Sequence, residues 1–503
     1  MMEPTPALAI FLRIALFTTF AYAGTLALYV VSMLAVAIPE SRFRRRQDDV
    51  EDYEAVRGSR YTIPVSVIVA AFNEEGMIVP AIGSLLGQAY PEMELIVVDD
   101  GSTDGTLAAI DAAYDLEPGE AFSRENIATK PVRTVYRSRT DPRLTVLVKA
   151  NGGKADSLNC GVNFARYRYL CTVDADTIFA SDALLKAMTL VGKDPERIVA
   201  ASSLFGISLT PEFADADARE GPRLNNHLLA DFQHLDLMRS FVVYRTAWTG
   251  LSCMLCVSGA FGLWRRDVIL EAGGFSPAFS CEDIEMTFRI HERFRREGRP
   301  YRIISLPNMV AQTEGPRSAR SLISQRARWQ RVTLETIWHY RSMLGRARYG
   351  SVGLVGVPYY LLFECLAPVL QLLSFVALLV AVLVGALAWP TYLAFLGAVT
   401  FGTAIPTTIA VGLHDAGFRD YRVRDLVRML FLGPLDLPIY RPILMYAGLR
   451  GTWEFLQKER RWNKFERNTR SSSDKSLPPR RTRQQLLRQP SANPASQTNA
   501  AVD

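Results

Sequence analysis

Apolar and polar positions divide the chain into blocks. Ile14 to Ile38 is an uncharged run of 25 residues, long enough at 1.5 Å per residue to cross a hydrocarbon core as a helix. A second apolar block runs from Val352 to Trp389, interrupted by Glu364, Pro368 and Gln371, and a third covers Tyr392 to Leu413. With Pro390 as a natural turn, these two form an out-and-back hairpin. The stretch Met429 to Gly448 carries Asp436, Arg441 and prolines at 434, 438 and 442, which suits an interfacial or re-entrant segment better than a clean span. Between about 60 and 345 the pattern changes to short apolar, β-branched runs alternating with amphipathic stretches. That is the signature of an α/β domain built on parallel strands.

Four of those runs end in polar loops. "VSVIVAAFNEE" carries a strand from Val65 into Asn73, Glu74 and Glu75, with a helix expected from Val79 to Gln88. "ELIVVDDGSTDGT" sets Asp99 and Asp100 at its strand's carboxyl end, with Thr103 or Asp104 positioned to cap the next helix. "LTVLVKANGGKADSLNCG" joins a strand over Leu144 to Val148 to a helix beginning near Lys154, through Gly152 and Gly153. "YLCTVDADT" leads into Asp174 and Asp176, a pair that strand periodicity would project to one side, where a hard divalent cation takes carboxylate oxygens. Ligands in open α/β sheets bind beyond the carboxyl ends of the strands, so these groups converge on one expected site.

Three further stretches carry chemistry. Ser258, Gly259 and Ala260 are small residues suited to close approach by a bulky substrate; Glu282 and Asp283 open a helix; and "QRARWQR" places Gln325 and Trp329 one turn apart, with Arg328 beside them. An indole stacks on sugar rings and a guanidinium neutralises phosphate.

Composition fits this division. With 503 residues, 49% of them hydrophobic, the chain exceeds one ordinary domain and is more apolar than a soluble enzyme requires. The net charge of +6 matters through its location. Arg42, Arg44, Arg45 and Arg46 follow the first apolar run, and a second basic excess extends from Arg450 to Arg488. Basic clusters beside spans mark the cytoplasmic face and favour lipid headgroups over nucleic acid, for which no recognition module is present. The charges follow the first apolar run rather than precede it, which argues for a retained span over a cleaved signal peptide, despite Ala35-Val36-Ala37. The six cysteines include one lone CxxC, Cys253 and Cys256, and are expected as reduced thiols. His227 and His234 are expected as ordinary helix residues. From Arg467 the composition predicts a disordered tail.

Taken in order, "AAFNEE", "VVDDGSTDGT", "NGGKADSLN", "VDADT", "SGAF", "CED" and "QRARW" resemble the processive inverting glycosyltransferases of family 2, which include cellulose, hyaluronan, chitin and poly-N-acetylglucosamine synthases. The resemblance covers Pro64 to Arg331. It implies a GT-A fold, a Rossmann-like nucleotide-sugar domain inserted between transmembrane helices, and four regions: a first helix over 1–41, a cytoplasmic catalytic domain over 42–345, a membrane region over 346–450 and a basic tail over 451–503.

The resemblance also implies roles. Asp99 and Asp100 match the motif that contacts the uridine nucleotide, with Glu74 and Lys154 also on the donor. Asp174 and Asp176 match the motif that binds Mg²⁺ or Mn²⁺. Asp283 matches the catalytic base, with Glu282 beside it, and Gln325, Arg328 and Trp329, with Ser258 and Gly259, match the acceptor and diphosphate positions. Two departures stand out. Cys281 replaces the threonine of many relatives, and Val332 stands where glycine is frequent. The expected protein is a multi-pass inner-membrane enzyme with a UDP-sugar donor, a polysaccharide acceptor and an accessory membrane subunit as a candidate partner. A lipid acceptor is the alternative.

Overall fold

The computed structural model describes residues 6–59, 61–208, 224, 225, 227–418 and 421–457. The predicted disordered tail therefore lies outside the described residues.

The catalytic part is built on one ten-stranded sheet. Its strands are β1 (Val65–Ala71), β2 (Met93–Asp99), β3 (Leu116–Pro118), β4 (Val132–Ser138), β5 (Leu144–Lys149), β6 (Tyr169–Asp174), β7 (Thr177–Phe179), β8 (Ile198–Ser208), β9 (Gly262–Arg265) and β10 (Arg302–Glu314). They lie in the order β3-β4-β5-β2-β1-β6-β9-β8-β10-β7. The four apolar runs form the central strands β5, β2, β1 and β6, all parallel. Val65, Val67, Ile68, Leu95, Val97 and Leu147 are fully buried there, as strands covered on both faces require.

Register aligns the ends that matter. Ala71 of β1 pairs with Asp99 of β2, Ala70 with Asp174 of β6, and Asp99 in turn with Val148 of β5. One edge of the sheet thus carries the loops after all four strands. The antiparallel β9 beside β6, with Gly262 opposite Thr172, brings the Ser258–Gly259 loop to the same edge.

Local expectations shift in two places. The helix after β2 spans Thr106–Tyr114 with Gly105 at its N-cap, and Asp104 Oδ1 accepts the Thr106 N–H at 3.0 Å. The Asp174 strand ends at that residue, so Asp176 sits in a turn and strand alternation does not set its direction.

Two apolar membrane-spanning helices flank this domain in the chain, Ile10–Asp49 and Trp389–Gly417, with a bent third candidate formed by Val352–Cys365 and Ala367–Leu383 at 50°. The bend falls next to Pro368, whose ring removes a helical donor and crowds the preceding turn. The first helix is continuous over Pro6–Asp49, about 66 Å at helical rise against a core of about 30 Å. It therefore runs through the arginine cluster rather than stopping at it. Beyond the core Arg44 bonds to Glu40 and donates to the Ser305 carbonyl on β10, while Tyr29 accepts from Trp248 Nε1 at 2.7 Å.

Met429 to Gly448 falls on two helices, Val423–Leu435 and Arg441–Leu456, joined by a π-helical turn. The charges that made it unlike a span have protein partners: Asp436 meets Arg441 and Arg239, and Arg239 meets Asp236.

Candidate active site

Five groups meet at the sheet edge. The Lys154 ammonium, at the first turn of the helix Lys154–Phe164, lies 2.7 Å from Asp174 Oδ1 and 2.9 Å from Glu282 Oε1. Gly259 donates its N–H to Asp283 Oδ2 at 2.8 Å. A Cβ on Gly259 would stand 2.9 Å from Lys154 Nζ, 3.2 Å from Asp283 Oδ2 and 3.9 Å from Asp174 Oδ2, so this position is where the cluster converges. Arg328 joins from the helix Ala319–His339; burial lowers the proton affinity of its guanidinium, and the charges of Asp174 and Glu282 oppose that.

The electrostatics follow from crowding three carboxylates around one ammonium. Burial alone would lower Lys154, but Asp174, Glu282 and Asp283 outweigh it and hold the ammonium well above its ordinary value. Burial raises the Glu282 carboxyl; Lys154 opposes that and Asp283 adds to it. Lys154 is thus a permanent cation within an acidic cluster, where a phosphate can exchange for a carboxylate partner.

The loops beside this cluster are stitched together. Asn73, at a positive φ of 54°, accepts the Thr103 N–H at 2.8 Å with its side-chain oxygen and donates its own N–H to Ser102 Oγ at 3.0 Å. The half-buried Glu74 donates its N–H to Thr106 Oγ1 at 2.8 Å. Asp99 is 2% exposed and burial raises its carboxyl, with Ser102 opposing. Asp100 faces the glycine loop instead of an open cleft. Its oxygens accept Gly152 N–H at 3.0 Å and Gly153 N–H at 2.8 Å, and Oδ1 also pairs with Lys149 at 2.7 Å. Gly153 has φ 86°, a conformation that glycine adopts without strain.

Lys149 was not legible as a functional position. It is fully buried, with its three ammonium donors on Asp100 Oδ1, Asp156 Oδ2 and the Ala150 carbonyl at 2.7, 2.6 and 2.7 Å. Removing the cation would strand the buried Asp100 carboxylate and unpair the half-buried Asp156, so Lys149→Met is expected to destabilise the fold by about 3 kcal/mol, read as a lowered thermal unfolding midpoint.

Asp176 is half-buried and accepts from Thr313 Oγ1 of β10 at 3.4 Å. Asp174 and Asp176 supply two carboxylates, and among the described residues no group of three His, Cys, Asp or Glu side chains forms a metal cluster. Two carboxylates suit a Mg²⁺ or Mn²⁺ ion whose remaining positions are filled by diphosphate oxygens and water.

The "QRARW" helix presents two arginines on opposite sides, since two residues turn about 200°. Arg326 turns away from the cluster: it pairs with Asp236 at 3.0 Å, donates to Tyr440 Oη at 3.1 Å, and stacks 4.3 Å from the Trp329 ring centroid. Trp329 remains 36% exposed and Gln325, one turn earlier, is half-buried. The resemblance pointed to Arg328; nothing in the sequence indicated the partners of Arg326. Ser258 is buried and donates its N–H to Ser202 Oγ at 3.1 Å, a role in holding the loop.

All six cysteines are unpaired. His227 is the N-cap of the helix Leu228–Met238, and His234, within it, is bonded to Tyr421 Oη at 2.6 Å.

Two family profiles match this chain: "Glycosyl transferase family 2" over residues 66–250 and "Glycosyl transferase family group 2" over 169–406. Between them they span the sheet, the cluster and the helices that follow. The chain is similar to these two families over the matched residues. It is similar to the poly-beta-1,6-N-acetyl-D-glucosamine synthase of Staphylococcus epidermidis (strain ATCC 35984), 23% identical over 305 residues, covering 60% of this chain and 61% of that one. It is also similar to the synthase of the same name from Staphylococcus aureus (strain MSSA476), 23% identical over 265 residues and 53% of each chain. The chain thus spans between half and two thirds of these relatives' length. The mannosyltransferase PcManGT from Pyrobaculum calidifontis, solved in complex with GDP-Man and Mn²⁺, superimposes with a TM-score of 0.51 at 17% identity, covering 86% of this chain and all of that one. It shares the GT-A fold.

Position 259 gives a direct test of the geometry. In Gly259→Ala the methyl must displace the Lys154 ammonium, the end of a flexible side chain, so the fold survives while the ion cluster shifts. Transfer is expected to fall about 10²-fold, the size associated with a misplacement near 1 Å, with little change in the unfolding midpoint. Full activity in this variant would show that the cluster's spacing is unimportant.

Proposed function

We propose that the protein transfers N-acetylglucosamine from its UDP donor to the end of a growing β-linked polysaccharide, with inversion, and passes the product into the flanking membrane helices. The observation that carries this reading is the meeting of Lys154, Asp174, Glu282 and Asp283 at Gly259. A cation for diphosphate, a carboxylate for a metal and a carboxylate for a proton stand within one substrate's reach. The choice of sugar is supported by the names of the staphylococcal relatives.

Asp283 accepts the acceptor hydroxyl proton as that oxygen attacks the anomeric carbon. A single displacement inverts the centre, so an α-linked donor gives a β-linked product. Lys154 and Arg328 neutralise the charge that develops on the departing diphosphate. Mg²⁺ or Mn²⁺, held by Asp174 and Asp176, would supply Lewis-acid stabilisation of the same charge; the PcManGT structure carries Mn²⁺. Asp99 and Glu74 line the nucleotide side, and Asp100 holds the glycine loop in shape. Trp329, with its exposed ring, and Gln325 receive the acceptor sugar. The arginines that follow the first span support a cytoplasmic site at the inner membrane.

Membranes incubated with labelled UDP-N-acetylglucosamine and Mn²⁺ test the product. High-molecular-weight glycan supports the polymerase. A lipid carrying one sugar or a short glycan would replace it with a glycolipid synthase, a reading favoured by the small number of spans, two or three among the described residues.

A further inference from the structure

The helix Glu282–Glu297 begins without a side-chain cap. Cys281 holds the N-cap position with φ −144° and ψ 107°, and its side chain makes no capping bond. Serine or threonine there would accept an N–H from the first turn, whereas sulfur is a weak acceptor. The N–H of Ile284 goes instead to Asp283 Oδ1, at 2.6 Å. The Cys281 thiol donates to that same oxygen at 2.9 Å.

The other oxygen of Asp283, Oδ2, accepts from Gly259 N–H at 2.8 Å. Each carboxylate oxygen offers about two acceptor sites, so Oδ1 is filled and Oδ2 keeps one open, on the side where Gly259, Lys154 and Asp174 converge. The thiol is suited to remain a donor. Burial, with the charges of Asp283 and Glu282, raises it well above the ordinary thiol value, which keeps it protonated.

We infer that Cys281 is a positioning residue for transfer: its thiol fills the second acceptor site of Asp283 Oδ1, fixes the rotation of that carboxylate, and leaves the open lone pair of Oδ2 to take the acceptor's proton. This rests on Asp283 being the base. The thiol acts through Asp283 and touches no reacting atom.

Steady-state kinetics of the full chain in membranes, with UDP-N-acetylglucosamine and Mn²⁺, compare wild type with Cys281→Ala, Cys281→Val and Cys281→Ser. Loss of the donor in the alanine and valine variants is expected to lower kcat about tenfold, the rate equivalent of one hydrogen bond to a charged group, with the donor KM unchanged. The serine hydroxyl can donate to Oδ1 and should return most of kcat. An unimpaired Cys281→Ala and Cys281→Val, or a loss that serine does not restore, would overturn the role. So would a donor KM that rises in step with the loss of kcat, because that would mean a displaced helix start carrying Glu282 and Lys154 with it. Asp283→Asn is measured alongside. If it is inactive while Cys281→Ala is unimpaired, only the positioning role fails; if it is fully active, the base assignment fails and this inference with it.

Discussion

Asp283→Asn is expected to lower transfer by about 10³-fold, within the range by which a positioned base accelerates proton transfer, while donor binding stays close to that of wild type. The substitution keeps the side chain's shape, and an amide oxygen can still accept from Gly259 or Ile284, the two backbone donors that hold the carboxylate. What disappears is the capacity to take a proton. Lys154 keeps its ion pairs to Asp174 and Glu282, so the diphosphate side is undisturbed. Turnover by UDP release and donor affinity by titration calorimetry separate the two effects. A variant that transfers sugar at the wild-type rate would remove Asp283 from the reaction and leave Glu282, buried and paired with Lys154, as the remaining acidic candidate.

Excess EDTA should abolish transfer, and Mn²⁺ or Mg²⁺ should restore it; Asp174→Asn should lose about 10²- to 10³-fold at saturating metal. The magnitude corresponds to several kcal/mol of stabilisation of departing charge. Asp174 is 36% exposed in its side chain and shares Oδ1 with Lys154, so it offers an oxygen to an ion without unfolding anything. The amide substitution removes a charge from the cluster and weakens the hold on Lys154 as well. Asp176→Asn, at a carboxylate that accepts from the Thr177 and Thr313 hydroxyls at 3.4 Å, is a second probe of metal affinity. It should shift the Mn²⁺ concentration for half-maximal activity upward without moving the unfolding midpoint. Activity that persists undiminished in EDTA would contradict a metal-dependent site.

Much of the scaffold was legible in local pattern. The runs at Val65, Glu94, Leu144 and Tyr169 are buried parallel strands, and a parallel strand covered on both faces must be apolar along its length. The polar residue that ends a run then falls at the sheet edge, which is why Asp99 and Asp174 could be placed there from sequence, with Lys154 at the start of the helix after β5. Partners of buried charges were not legible, because they are chosen across the fold. Asp100 looks like Asp99 in sequence, yet its oxygens go to the glycine loop and Lys149. Arg326 and Arg328 share a motif, yet only the second lies in the field of the cluster. Asp176 lies past the end of its strand, beyond the reach of the two-residue period that was used to orient it. The charges near Asp436 find their partners across the fold as well, for Arg239 comes from almost two hundred residues earlier.

The convergence at Gly259 is the core of this account, and the anomeric configuration of the product tests it most directly. Membranes containing the full chain are incubated with Mn²⁺ and UDP-N-acetylglucosamine labelled with ¹³C at its anomeric carbon, and the product is examined by NMR. A single displacement driven from Asp283 predicts label in β-glycosidic linkages of a polymer. Label in α-linkages, or only in free sugar released to water, would contradict it.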